Sequence, residues 1–297
     1  MNTVSTHPSI IWFTVHKSAS VFIAGLLKNL AQESGMNYID YEGNFWQKGE
    51  HFFQEIVVKN PQKVSEYFRS NGEIYGPFRG YIPTIKKNME NYKKYKVVLM
   101  LRDPRDVITS LYFSSAYSHE IQPLQEQAIQ EVRKIALASK IDDYVLKNNK
   151  FFLFNYNLYC KELLGESNVL LVTYEEMVNN FPAWLKTVIN FLQIEVSQGF
   201  IESLVKEVEF DVIEENVYAH KRQVKPGDHR RKLKVTTIRK LNLEFEHILK
   251  RLNYISPGSL EEFSLNDMVL QKSHERLALS QVKLQHYQNL LSQYTHV

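Results

Sequence analysis

Short unbroken apolar runs alternate along this chain with stretches whose apolar residues recur at helical spacing. SIIWFTV, residues 9–15, is a run of strand-forming residues that passes through HKSAS into an apolar-periodic segment ending at Gly35. That pattern predicts a strand, a loop and a helix. MNYIDY predicts a second strand, a polar, aromatic-rich stretch follows to about Tyr95, and KVVLML predicts a buried strand at residues 96–101. Asp103 and Pro104 come directly after it. An aspartate accepts the N–H groups of a first helical turn and proline sets φ at the first helical position, so a helix is expected from Pro104 to about Tyr117. Pro123 opens another helical region carried to Leu164, with Gly165 as terminator. VLLVTY, residues 169–174, predicts a further buried strand, and a helix follows from about Glu176 to Phe191. The expected fold is α/β, a central parallel sheet flanked by helices, with ligands at the C-terminal strand ends.

The character changes after Pro257 and Gly258. Ser259 with Glu262 makes a capping box, and neither Pro nor Gly occurs from there to Val297. Phe263, Leu270, Leu277, Leu284 and Leu291 recur every seven positions, while the companion row is mostly polar. This predicts a main domain over residues 1–257 and a helical extension, a candidate coiled coil, over 258–297. A helix exposing such a row needs its own domain or another subunit against it, and a homo-oligomer through this helix is the expectation.

With 297 residues the chain can bury a substantial core as one large α/β domain. No stretch approaches the ~20 uncharged apolar residues of a membrane span, and the first residues carry no signal-peptide pattern, so a cytoplasmic protein is expected. Its single cysteine, Cys160, excludes an internal disulfide and a Cys-based zinc site. A formal charge of +3 does not by itself suggest a nucleic-acid partner, and none is expected. Residues 220–234, HKRQVKPGDHRRKLK, are strongly basic, as a solvated loop or a phosphate-binding one would be.

HKSASVF lies between the first strand and its helix, where free backbone N–H groups and the helix dipole favour an anion. Lys17 would add a point charge and Ser18 and Ser20 hydroxyl donors. The residues before Lys17 do not fit GxxxxGK[ST], which weighs against a metal-dependent kinase. Arg102, at the end of a buried strand, and Ser110 on the next helix can converge on a second phosphate, unless Arg102 pairs instead with Asp103 or Asp106.

HKSASVF resembles the 5′-phosphosulfate loop, usually PKSGTTW, of sulfotransferases that use 3′-phosphoadenosine-5′-phosphosulfate (PAPS). LRDPRDVITSLYF is similar to their 3′-phosphate motif, with Arg and Ser eight positions apart. VLLVTYEEM resembles the strand carrying their cofactor-contacting tyrosine, here Tyr174, and RQVKPGDHR, residues 222–230, resembles RKGxxGDWK. The four matches occur in family order. The resemblance implies a P-loop nucleotide-hydrolase-like sulfotransferase fold and metal-independent, in-line sulfuryl transfer from PAPS, with PAP as product. It implies that the loop from Lys17 through Ser18, Ala19, Ser20 and Val21 holds the phosphosulfate, and that Arg102 and Ser110 hold the 3′-phosphate. Arg222 with the backbone of Gln223 and Val224 would close over it. Phe22 replaces the tryptophan that stacks on adenine, Ala19 and Val224 replace glycines, Val21 replaces a hydroxyl donor, and His229 stands where the motif has tryptophan.

Transfer also needs a group to take the acceptor's proton. The region that carries the family's KTH histidine reads YGPFRGYIP here, and Arg79 stays protonated. Carbohydrate sulfotransferases of the heparan sulfate type resemble an alternative, a glutamate shortly after the first helix, and IDYEGNF supplies Asp40 and Glu42 there. Alternation would place both on one face of an extended segment. Glu42 ranks first, then His51, then Asp40. A PAPS- or PAP-binding pseudoenzyme and a P-loop kinase-like phosphotransferase are the competing functions, and the acceptor can be a small molecule or a carbohydrate.

Overall fold

The computed structural model describes residues 7–48, 59–81, 83–119, 125–208, 210, 212, 214–219 and 221–255. Among these, strands β1 (Ile10–Thr14), β2 (Asn37–Ile39), β3 (Glu73–Phe78), β4 (Lys96–Leu101) and β5 (Val169–Thr173) form one sheet in the order β2-β3-β1-β4-β5. All four pairings are parallel. Helix α1 (Ser20–Ser34) follows β1, α2 (Tyr41–Gln47) follows β2, and α3 (Val64–Tyr67) and α4 (Pro83–Asn88) flank β3. Helix α5 (Pro104–Phe113) leaves β4, and α6 (Glu126–Ala138) and α7 (Ile141–Glu162) lead to β5. After β5 come α8 (Tyr174–Asn179), α9 (Phe181–Leu192), α10 (Gln198–Glu207), α11 (Asp228–Lys232), α12 (Val235–Glu244) and α13 (Glu246–Arg251).

Strand periodicity divides the core into two layers. Val97, Leu99 and Leu101 of β4 join Ile11 and Phe13 of β1 on one face, against Tyr156 of α7, Leu241 of α12 and Ile248 of α13. Val98 and Met100 join Ile10 and Trp12 on the other, against Leu27 of α1 and Trp184 of α9. Successive strand residues point to opposite faces, so an uninterrupted apolar run is what a sheet covered on both sides requires. Cys160 is buried in the first layer.

β3 is the strand hidden in the polar, aromatic-rich stretch. Gly76 and Pro77 mark a break in sequence, yet they lie inside a buried strand between β2 and β1. The register against β1 shifts between Ile11 and Phe13, a bulge that absorbs the dipeptide. Gly76 is required there: its φ is +115° and a Cβ would lie 2.6 Å from the Trp12 carbonyl oxygen.

Helix ends differ from the expectation in three places. The helix from Pro104 is regular only to Phe113 and then widens into a π turn, Ser114–Ser118. The helix expected as far as Leu164 is broken, since Ser139 is extended between α6 and α7. The one expected from Glu176 to Phe191 is two, because Asn180 accepts from the Ala183 N–H at 3.2 Å and Pro182, with no N–H to donate, starts a new helix. The extension 258–297, with the homo-oligomer read from it, and His51 lie outside the described residues.

Candidate active site

In the strand order the connections run to opposite sides of β1, and the crevice at the C-terminal ends of β1, β3 and β4 is where such sheets bind ligands. The loop leaving β1 turns through two left-handed residues, Lys17 (φ 63°) and Ala19 (φ 59°). Turns of this kind offer successive backbone N–H groups to an anion. Ala19 is the N-cap of α1 and has no side chain able to cap it, so the first-turn amides lack a side-chain acceptor. Ser18 is fully buried, and its Oγ has no hydrogen-bond partner among the described residues.

Arg102 follows β4 and is buried. Its Nη1 donates to the Lys17 carbonyl at 2.6 Å, its guanidinium stacks on the Tyr174 ring at 4.1 Å, and its Nε has no partner among the described residues. It is not consumed by either neighbouring aspartate. Asp103 caps α5 through the Arg105 N–H at 2.9 Å and pairs with the Arg105 side chain at 2.6 Å, and Asp106 faces the basic loop. Ser110 is half-buried on α5. Enclosure by protein first, and then the charges of Arg102, Arg79 and Arg222, lower the Lys17 pKa to about 8. Crowded cations with orphaned donors beside them are what an anionic ligand would relieve, so these residues fit the phosphosulfate and 3′-phosphate of PAPS.

Tyr174, whose hydroxyl donates to the Val224 carbonyl at 2.7 Å, starts α8 rather than extending β5. Arg222 stacks on Phe113 at 4.0 Å and is held by carboxylates, Asp228 and Glu215. Gln223 accepts the Lys225 N–H at 3.0 Å. The anchor of this loop is a pair not anticipated from the sequence. Asp106 accepts from the Gly227 N–H at 2.7 Å and the His229 N–H at 2.9 Å, and meets His229 Nδ1 at 2.6 Å. Burial works against the Asp106 charge, but the His229 hydrogen bond and the Arg102 charge hold its pKa well below the usual carboxylate range. His229 therefore ties the basic loop to α5. Phe22 meets Phe181 and Phe210 edge-on at 5.7 and 5.4 Å, and Val21 is 64% exposed at the start of α1.

On the β3 side of Lys17, Asp40 and Glu42 do not share an extended face. Asp40 Oδ1 accepts the Gly43 N–H at 2.8 Å and a helix begins at Tyr41, which puts Glu42 in the first turn of α2. Burial raises the Asp40 pKa, opposed by that hydrogen bond. Glu42 Oε1 accepts the Arg79 N–H at 2.9 Å, and Oε2 lies 3.5 Å from Arg79 Nε. Burial raises its pKa to about 7, with the Arg79 charge opposing. His16, absent from the sequence expectations, is solvent-exposed on the loop that leaves β1. Its position directly before Lys17 was the available signal.

Among the described residues, no three His, Cys, Asp or Glu side chains are placed to hold a metal ion, and no helix is long and apolar enough to cross a membrane. The family model described as sulfotransferase domain matches residues 83–250. The luciferin sulfotransferase of Photinus pyralis is 27% identical over 130 residues, which are 42% of this chain and 30% of that protein. The match thus spans about a third of that relative's length. A mouse sulfotransferase solved with PAP superposes with a TM-score of 0.52 at 16% identity, over 83% of this chain and 86% of that one. Retinol dehydratase with retinol and PAP gives 0.47 at 14% identity, over 84% and 83%.

Proposed function

The chain belongs to the sulfotransferase domain family, and on that premise we propose that it moves a sulfuryl group from PAPS to a hydroxyl or amine acceptor. The observation that carries this reading is the convergence of Lys17, Arg102, Arg79 and Arg222 at the β1–α1 turn, beside Ser18 Oγ and Arg102 Nε, which have no partner among the described residues. PAPS supplies a sulfuryl group joined to a 5′-phosphate that leaves as part of PAP. Lys17 and the first amides of α1 hold that phosphate and neutralise the charge it gains. Arg102 and Ser110 bind the 3′-phosphate, and Arg222 with the backbone of Gln223 and Val224 closes over it. Phe22 lies at the adenine end. An acceptor oxygen or nitrogen held in line loses its proton to Glu42, whose pKa of about 7 suits it to that task near neutrality.

The reading is tested by PAP calorimetry and by a PAPS-dependent sulfation screen over sugars, phenols and aliphatic alcohols, read by mass. PAP binding without turnover of any acceptor would favour the pseudoenzyme. Activity lost to EDTA and restored only by magnesium would favour the phosphotransferase. For the base, turnover is expected to rise with pH through about 7 as Glu42 ionises, and Glu42→Gln to abolish that limb and cost about a hundredfold or more. An unchanged pH profile in Glu42→Gln would remove Glu42 from the role. Self-association through residues 258–297 and a cytoplasmic location are further proposals. Equal subunit number by light scattering for the full chain and for one ended at Pro257 would count against the first, and recovery of the protein outside the soluble cytoplasmic fraction against the second.

A further inference from the structure

Two tyrosines of α7 reach the strand ends from which the phosphate-binding arms spring. β1 and β4 stay paired as far as Thr14 and Met100. Beyond that point the Tyr159 hydroxyl donates to the Thr14 carbonyl at 2.6 Å and the Tyr156 hydroxyl donates to the Arg102 carbonyl. Both side chains are fully buried. Three positions apart on a helix, they share a face. Burial pushes both hydroxyls well above the usual tyrosine range, so they remain protonated donors. The circuit closes on the other side, where Arg102 Nη1 donates to the Lys17 carbonyl. It runs from α7 to the end of β1, along the loop to Lys17, across to Arg102 and back to α7.

We propose that Tyr156 and Tyr159 are positioning residues that set the spacing between the 5′ arm at Lys17 and the 3′ arm at Arg102. The inference rests on the PAPS reading above. A buried carbonyl needs a donor whatever the function, so the competing account is that the hydroxyls only satisfy Thr14 and Arg102. The accounts differ in what ligand binding feels. A donor that only stabilises the fold leaves the affinity of the folded protein intact, whereas a displaced arm misplaces its charge by a fraction of an ångström.

The experiment measures PAP binding by calorimetry on the full chain, with melting temperatures, for Tyr156→Phe, Tyr159→Phe and, as control on the same helix, Tyr144→Phe, whose hydroxyl bonds Ser115 Oγ at 3.0 Å. Tyr156→Phe and Tyr159→Phe are each expected to weaken PAP about three- to tenfold, while Tyr144→Phe loses stability at unchanged affinity. In an Arg102→Ala background, Tyr156→Phe is expected to add nothing to the affinity loss, since it acts through Arg102. Full affinity in both variants, or the same loss from Tyr156→Phe with and without Arg102, overturns the inference. Should either variant fail to fold, exchange of the two hydroxyl protons in the unaltered chain replaces it: slower exchange with PAP supports the inference, and no change overturns it. If the unaltered chain does not bind PAP, the PAPS reading itself falls and this inference with it.

Discussion

Lys17→Ala is expected to lower turnover about a hundred- to a thousandfold while weakening PAP by no more than about tenfold. The asymmetry arises because charge on the departing phosphate grows during transfer, so a cation at Lys17 contributes more in the transition state than to the bound product. The lysine is also tuned. Enclosure and three neighbouring arginines lower its pKa to about 8. A bound anion favours the charged form and raises that pKa. PAP affinity is therefore expected to fall as pH rises past about 8, a slope that Lys17→Ala should abolish. Steady-state kinetics and calorimetry across pH check both parts. Equal losses in turnover and PAP affinity would make Lys17 a binding residue only.

Arg102→Ala is expected to weaken PAP about ten- to a hundredfold, because charge-assisted phosphate contacts contribute roughly 1.5–3 kcal/mol. Its effect should also spread beyond the 3′-phosphate. The same side chain bonds the Lys17 carbonyl and stacks on Tyr174, whose hydroxyl holds Val224, so its removal loosens the 5′ arm and the basic loop together. A second signature follows from charge. With one cation fewer beside it, Lys17 should hold its proton to higher pH, and the fall of PAP affinity should begin above about 8. Calorimetry at several pH values reads both effects. Unchanged affinity would remove Arg102 from the site, and an unshifted pH slope would separate it from Lys17.

The basic loop is held to α5 by a buried polar anchor. Where the resembled motif has tryptophan, His229 is buried against Asp106, and two backbone N–H groups of the loop converge on the same carboxylate. A buried carboxylate so surrounded by donors keeps its charge, and the loop is fixed to the helix that carries Ser110.

What the sequence determined by itself was local. β1, β4 and β5 are legible because a strand covered on both faces needs an uninterrupted apolar run, and the start of α5 because Asp103 and Pro104 act within a single turn. The Lys17 loop and Arg102 could be found since each lies beside such a strand. Tertiary structure decided the rest. β3 was concealed by Gly76 and Pro77, whose fit depends on a bulge against Trp12 in another strand. Asp40 and Glu42 were separated when Asp40 started a helix instead of continuing a strand. Asp106 with His229, Arg79 with Glu42, and the α7 tyrosines with Thr14 and Arg102 join residues distant in the chain. Periodicity and caps report interactions within a few residues, whereas the partner of a buried polar group is chosen by which strand ends and helices the core brings together.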